Sequence, residues 1–164
     1  MNRKKRAIYP GTFDPITLGH LNIIKRSSEL FDELVVAIGD NPDKNPLFNV
    51  AERATMIKKA TANIPNVTIV KFHSLLVELC NELNSKIIIR GIRSTADFEY
   101  ESQMTYANNS LNPDLETIYL MPKLEYAYIS SSTVRTILKF DGKVDHLIPS
   151  TILEDVEKKR GGKS

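Results

Sequence analysis

Short, nearly continuous apolar runs alternate along this chain with longer segments in which apolar residues recur every three or four positions. The first run, Ala7-Ile8-Tyr9, reads as a strand stopped by Pro10-Gly11. Thr17 to Phe31 reads as a helix, with Leu18, Leu21, Ile24, Leu30 and Phe31 on one stripe. Leu34 to Gly39 is a second strand, ending in the turn-rich Asp40-Asn41-Pro42-Asp43. Asn49 caps the next helix, and Glu52 three residues on completes a capping-box pattern. That helix runs through Met56, Ile57 and Ala60 to about Ile64, where Pro65-Asn66 ends it. Val67 to Phe72 is a third strand, Leu75 to Leu83 a helix, and Lys86 to Arg90 a fourth strand. A polar helix follows from about Thr95 to Asn109. Thr117 to Met121 is a fifth strand, closed by Pro122. Helices at about Ser131 to Phe140 and after Pro149, separated by a turn at Asp141-Gly142, complete the pattern.

Strands alternating with helices imply a parallel sheet with right-handed crossovers. The unbroken Ile87-Ile88-Ile89 run is what a strand covered on both faces requires. The expectation is an α/β fold: a single doubly wound, Rossmann-like domain over 1–160, with helices on both faces of a five-stranded sheet of order 3-2-1-4-5. Residues 161–164 are expected to be a disordered tail. Ligands of such sheets bind at the carboxyl ends of the strands where the winding reverses, here between strands one and four.

Composition narrows the function classes. The 164 residues carry a formal net charge of only +2, too little to argue for a nucleic-acid or membrane-surface partner. No stretch approaches the roughly 20 apolar residues that span a bilayer, and the basic Arg3-Lys4-Lys5-Arg6 leads into a strand without a signal region. A cytoplasmic location is therefore expected. The single Cys80 cannot form an internal disulfide, and its apolar surroundings mark it as a buried small hydrophobe. His73 and His146 are isolated in sequence and read as structural, and no spacing suggests a built-in metal cage.

Three clusters carry candidate chemistry. After strand one, Thr17-Leu18-Gly19-His20 opens a helix whose free amides and dipole make an anion site, with His20 placed to donate to a phosphate. Alone, this turn is equally readable as ordinary capping, and it is neither a Walker loop nor a dinucleotide fingerprint. At the end of strand four, the two arginines of Ile89-Arg90-Gly91-Ile92-Arg93 can turn toward one anion. Ile129-Ser130-Ser131-Ser132-Thr133 opens a helix with more hydroxyls than a cap needs, and the surplus argues for a ligand. Lys44 would reach the same rim from the turn after strand two.

Together with Tyr9-Pro10-Gly11-Thr12-Phe13-Asp14-Pro15 and Asp97-Phe98-Glu99-Tyr100-Glu101, these segments closely resemble the bacterial phosphopantetheine adenylyltransferases over nearly the whole chain. The T-x-G-H and I-S-S-S-T elements alone mark only the wider nucleotidyltransferase superfamily; the Y-P-G-T-F-D-P opening and R-G-I-R-x-x-x-D-F-E-Y-E are more specific. The resemblance implies adenylyl transfer from ATP to 4′-phosphopantetheine in coenzyme A synthesis. It gives Thr12, Lys44, Leu76 and Arg90 to phosphopantetheine. To ATP it gives Thr12, Phe13, His20, Gly91, Ile92, Arg93, Glu101 and the segment Tyr126, Ala127, Tyr128, Ile129, Ser130, Ser131, Ser132. It also implies Mg²⁺, delivered with ATP, and a homohexamer. Tyr126 stands where some relatives carry Trp.

The chemistry expected is in-line attack of a phosphate monoester on an α-phosphate, helped by positioning and charge stabilisation rather than a covalent intermediate. His20, Lys44, Thr12 and Arg90 are the expected catalytic set. Other small-molecule nucleotidyltransferases, and a non-catalytic nucleotide sensor, remain alternatives at this point. Phe98, Tyr100, Met104, Tyr106 and Leu111 give the helix starting at Thr95 more apolar surface than one domain can cover, which points to a subunit interface.

Overall fold

A computed structural model describes residues 4–41 and 45–160. Lys44 and the 161–164 tail lie outside the described residues. The elements are β1 (Arg6–Gly11), α1 (Leu18–Leu30), β2 (Glu33–Gly39), α2 (Val50–Ala60), β3 (Val67–Phe72), α3 (Leu76–Glu82), β4 (Ile87–Gly91), α4 (Thr95–Leu111), β5 (Glu116–Leu120), α5 (Ser131–Lys139) and α6 (Leu153–Arg160). The five strands form one parallel sheet in the order β3-β2-β1-β4-β5, as the pattern predicts.

The two-residue period of the strands divides the core. Ala7, Tyr9, Leu34, Val36, Ile38 and Ile89 point to the face covered by α1, α2, α5 and α6. Ile8, Val35, Ala37 and Ile88 point to the other face, where Val77, Leu79 and Cys80 of α3 pack. Cys80 is buried there, and burial pushes its thiol up to about 11. It is therefore an inert part of the core at neutral pH.

The helix ends follow local chemistry. Asn49 and Glu52 make a reciprocal capping box on α2. Its last regular residue is Ala60, four short of the expected end, because Thr61 closes the helix by bonding Ile57 O through both amide and hydroxyl. On α1 the buried stripe runs Leu21, Ile23, Ile24, Ser27; Leu30 is 60% exposed and departs from the stripe expected for it.

A larger departure concerns β1, which continues through Pro10 to Gly11 rather than stopping at Tyr9. Its pairing with β2 extends from Arg6↔Glu33 to Gly11↔Ile38, whereas its pairing with β4 is confined to Ala7↔Ile87 and Ile8↔Ile88. Proline is tolerated where a strand lacks one neighbour. The two central strands part above Ile8 and Ile88, and that parting is the crevice.

Two buried charges brace the crevice wall. Arg53 is 1% exposed and donates to Thr12 O (2.8 Å), Gly39 O (3.0 Å) and Phe48 O (3.0 Å). Asp14, 2% exposed, accepts from the amides of Leu47 (2.9 Å) and Phe48 (2.8 Å), while Arg135 donates to its carbonyl (2.9 Å). Replacing Arg53 by Met leaves three carbonyls without their donor, so a loss of about 3 kcal/mol or more is expected in urea denaturation.

Candidate active site

Gly11 leaves β1, and Phe13 then adopts φ +50°, a left-handed conformation that a bulky residue seldom holds. Its ring, 2% exposed, packs edge-on against Tyr9 (centroids 5.3 Å) and His20 (5.0 Å). The strain is held by this burial and by the Asp14 and Arg53 bonds on either side.

Thr17 caps α1, accepting from His20 N at 3.3 Å. His20 occupies the N3 position of that cap, and its Nδ1 accepts the Thr17 amide at 3.1 Å. The T-x-x-H spacing is therefore a capping box in which histidine stands where glutamate is usual. This bond fixes the tautomer. With Nδ1 accepting, the ring proton of neutral His20 is on Nε2. Burial, helped by the nearby Arg93 and Arg90 charges, lowers the His20 pKa to about 4. The side chain is a neutral donor at physiological pH.

Arg90 stands one residue before the end of β4, beneath the crevice. Its Nε and Nη2 grip the Glu101 carboxylate at 2.6 and 2.5 Å, and its Nη1 donates to Pro10 O at 2.7 Å. Three of five N–H groups are thereby used, leaving one on each Nη nitrogen. Arg93 pairs with Asp97 (3.1 Å) and donates to Ile129 O (3.2 Å). Both arginines are thus oriented by carboxylates from α4, and Glu101 is the buried residue of that helix.

Two cavities open from the parted strands. The smaller, about 230 Å³, lies between α1 and the start of α5, lined by Thr12, Phe13, His20, Gly91, Arg93, Ile129, Ser130 and Ser131 among others. The larger, about 740 Å³, lies on the α3 and α4 side and includes Leu76, Met104 and Asn108. Pro10, Gly11, Thr12, Arg90 and Glu101 line both. The structure thus brings together Thr12, Phe13, His20, Arg90, Gly91, Arg93, Glu101, Leu76 and Ile129 to Ser131 around one two-chambered cleft.

Ile92, Tyr126, Ala127, Tyr128 and Ser132 line neither chamber. Tyr126 lies beside the smaller one, its carbonyl 3.6 Å from where a Cβ on Gly19 would sit. The hydroxyl surplus is also smaller than it reads in sequence. Ser130 caps α5 through Thr133 (3.1 Å), and Ser131 donates to Pro15 O (2.8 Å). Donors left for an anion at this helix start are chiefly backbone amides.

Sequence reasoning passed over Arg53, Asp14, Asp97 and Tyr9. Arg53 had one legible signal: it stands three and four residues before Met56 and Ile57, on the apolar stripe of α2. A charge on such a stripe is buried with partners.

The turn opening α1, the arginines after β4 and the start of α5 thus face one crevice at the switch point, an arrangement suited to the phosphates of a nucleotide. A family model described as cytidylyltransferase-like matches residues 8–137. Phosphopantetheine adenylyltransferase of Nautilia profundicola is 55% identical over 92% of this chain and 98% of its own length. The enzymes of that name from Wolinella succinogenes and Clostridium botulinum are 51% and 47% identical, over 95% and 93% of the chain and 97% and 96% of their own lengths. The chain belongs to the cytidylyltransferase-like family and, within it, to the phosphopantetheine adenylyltransferases.

The lowered His20 pKa has a signed consequence. Unfolded chains take up the histidine proton near its ordinary value of 6.5 and the fold only near 4, so this residue withdraws stability as pH falls through that window. Above pH 6.5 it withdraws none. Nitrogen-detected NMR is expected to show His20 titrating near 4, with the proton on Nε2 at pH 7. An inflection between 6 and 7 would contradict the arrangement.

Proposed function

We infer that the chain transfers the adenylyl group of ATP to 4′-phosphopantetheine, giving dephospho-coenzyme A and pyrophosphate. The observation that carries this reading is the pair of chambers meeting at Thr12, Arg90 and Glu101, since two anionic substrates must present phosphates to each other across one point. The relatives, which bear the name of this activity over nearly their whole length, support it.

The smaller chamber takes the ATP phosphates and the larger takes the acceptor. An oxygen of the acceptor phosphate attacks the α-phosphorus in line, and the bond from that phosphorus to the bridging oxygen breaks as pyrophosphate leaves. Both reactants are anionic, so orientation and charge stabilisation supply the catalysis. Neutral His20 donates Nε2–H to the α-phosphoryl oxygen, and Lys44 shares that group. Thr12 and the two remaining Arg90 donors orient the attacking phosphate. Arg93 and the amides opening α5 hold the β- and γ-phosphates, with Gly91, Ile92 and the 126–132 segment flanking the nucleoside. Leu76 packs along the acceptor.

Mg²⁺ enters with ATP, where it neutralises phosphate charge. Among the described residues no group of three His, Cys, Asp or Glu could hold a metal ion. Asp97 and Glu101, the carboxylates of the smaller chamber, are each paired with an arginine. In this reading the ion would be held chiefly by phosphate oxygens and water.

No helix among the described residues is long and apolar enough to cross a membrane, and we place the enzyme in the cytoplasm. Assembly is as a homohexamer. Phe98, Tyr100, Met104, Tyr106 and Leu111 of α4, each 45–73% exposed, support a covered face there.

Incubation with ATP and 4′-phosphopantetheine is expected to release pyrophosphate, with nicotinamide mononucleotide and glycerol phosphate inactive as acceptors. Turnover on one of those instead would move the enzyme elsewhere in its superfamily. Saturable ATP binding without any turnover would favour a sensor. His20→Ala is expected to lower kcat by about 10²–10³-fold, the usual cost of one donor to developing charge. Light scattering should report an oligomer at micromolar concentration, and Tyr106→Glu should shift it to smaller species; a wild-type monomer would refute the interface.

A further inference from the structure

One polar group in the smaller chamber has no part in the scheme above. Tyr9 lines that chamber from β1 and is 5% exposed. Its ring is fixed by the edge contact with Phe13, at 5.3 Å and 88°, and it lies 6.5 Å from the His20 ring. The hydroxyl has no hydrogen-bond partner among the described residues. Its place is marked by Gly91, where a Cβ would stand 3.7 Å from the phenol oxygen. That puts the oxygen beside the crevice end of β4, with Arg90 and Arg93 near enough to act on its charge.

A buried tyrosine normally finds a partner for its hydroxyl. Here the ring is packed, the hydroxyl is unpartnered, and the space before it is the chamber. We propose that Tyr9 contacts substrate, its hydroxyl donating a hydrogen bond to an oxygen of the ATP α-phosphoryl group that His20 also contacts, on the side that faces Arg90. The proposal rests on the adenylyl-transfer reading for the identity of that phosphoryl group.

The surroundings suit a donor. Burial pushes the Tyr9 phenol above its ordinary range, against the pull of Arg90 and Arg93, so it keeps its proton at neutral pH. Arg90 has two N–H groups left after Glu101 and Pro10 are served, and His20 presents Nε2–H. The phenol adds a third direction of approach without adding charge. A phosphoryl oxygen has lone pairs to accept from several such donors.

Tyr9→Phe tests this cleanly, because it keeps the ring contacts with Phe13 and removes one oxygen. The expected result is a drop of about tenfold to a hundredfold in kcat/KM for ATP, the usual worth of one hydrogen bond to a charged group, with the melting temperature unchanged. Calorimetric binding of ATP to both proteins gives a readout independent of turnover. If the wild type releases no pyrophosphate from ATP and phosphopantetheine, the functional reading fails. Weaker binding by Tyr9→Phe still upholds the contact in that case, and equal affinity overturns it. With an active wild type, a variant within twofold in both kcat/KM and affinity overturns the proposal. A lowered melting temperature with unchanged kinetics overturns it too, assigning the hydroxyl to stability alone.

Discussion

The site depends on two neighbouring strands that cease to be neighbours. Strands β1 and β4 are paired at Ala7↔Ile87 and Ile8↔Ile88, then diverge, while each stays in register with its outer partner to the end. Divergence strips backbone groups of their ladder partners, and such groups cannot be left buried and unpaired. Pro10 removes one donor from the problem. The Arg90 guanidinium answers another part by donating to Pro10 O across the gap. The same cation that closes this backbone deficit is the one that faces both chambers. In the proposed scheme, structural repair and ligand recognition fall to one side chain.

The strained stretch that follows is held by interactions far away in sequence. Phe13 at φ +50° would relax if released. Arg53 of α2 takes the Thr12 carbonyl, the Asp14 carboxylate takes the Leu47 and Phe48 amides just before α2, and Arg135 of α5 takes the Asp14 carbonyl. The loop from Thr12 to Asp14 is thus clamped between two helices of one sheet face. Thr12 reaches the cleft from a backbone whose position is determined on three sides.

Strand and helix periods, helix caps and the three donor clusters are local or periodic properties and are legible in the residues, and the alternation of strands with helices leads from them to the sheet. The period of two fixes which strand residues share a face, the right-handed crossover limits the topologies, and Asn49-Glu52 announces its own capping box. What is not legible is partnership across the fold. The excess hydroxyls at Ser130 and Ser131 look available, yet one caps its own helix and the other bonds Pro15 from 116 residues away. Glu101 reads as a nucleotide contact by resemblance, and the fold gives it a partner its sequence position does not announce, both of its oxygens going to Arg90. Pro10 looks like a strand terminator because the sequence does not show that β4 has already turned aside. Each discrepancy arises where one residue's role is decided by a partner in another element.

The near-neutral charge of the chain follows the same logic. A formal +2 gives little long-range attraction for ATP or for a phosphorylated acceptor. Among the described residues that line the smaller chamber the balance is equally even, since Glu101 offsets Arg90 and Asp97 offsets Arg93. His20 carries no charge at neutral pH because burial and the arginines suppress its protonation. Binding strength must therefore come from the direction of donors rather than from net positive potential. Fixed dipoles do this well: they are aligned before the ligand arrives and need no reorganisation as charge shifts during transfer. The carboxylates that seem to compete with phosphate for the arginines are what hold those arginines in that alignment.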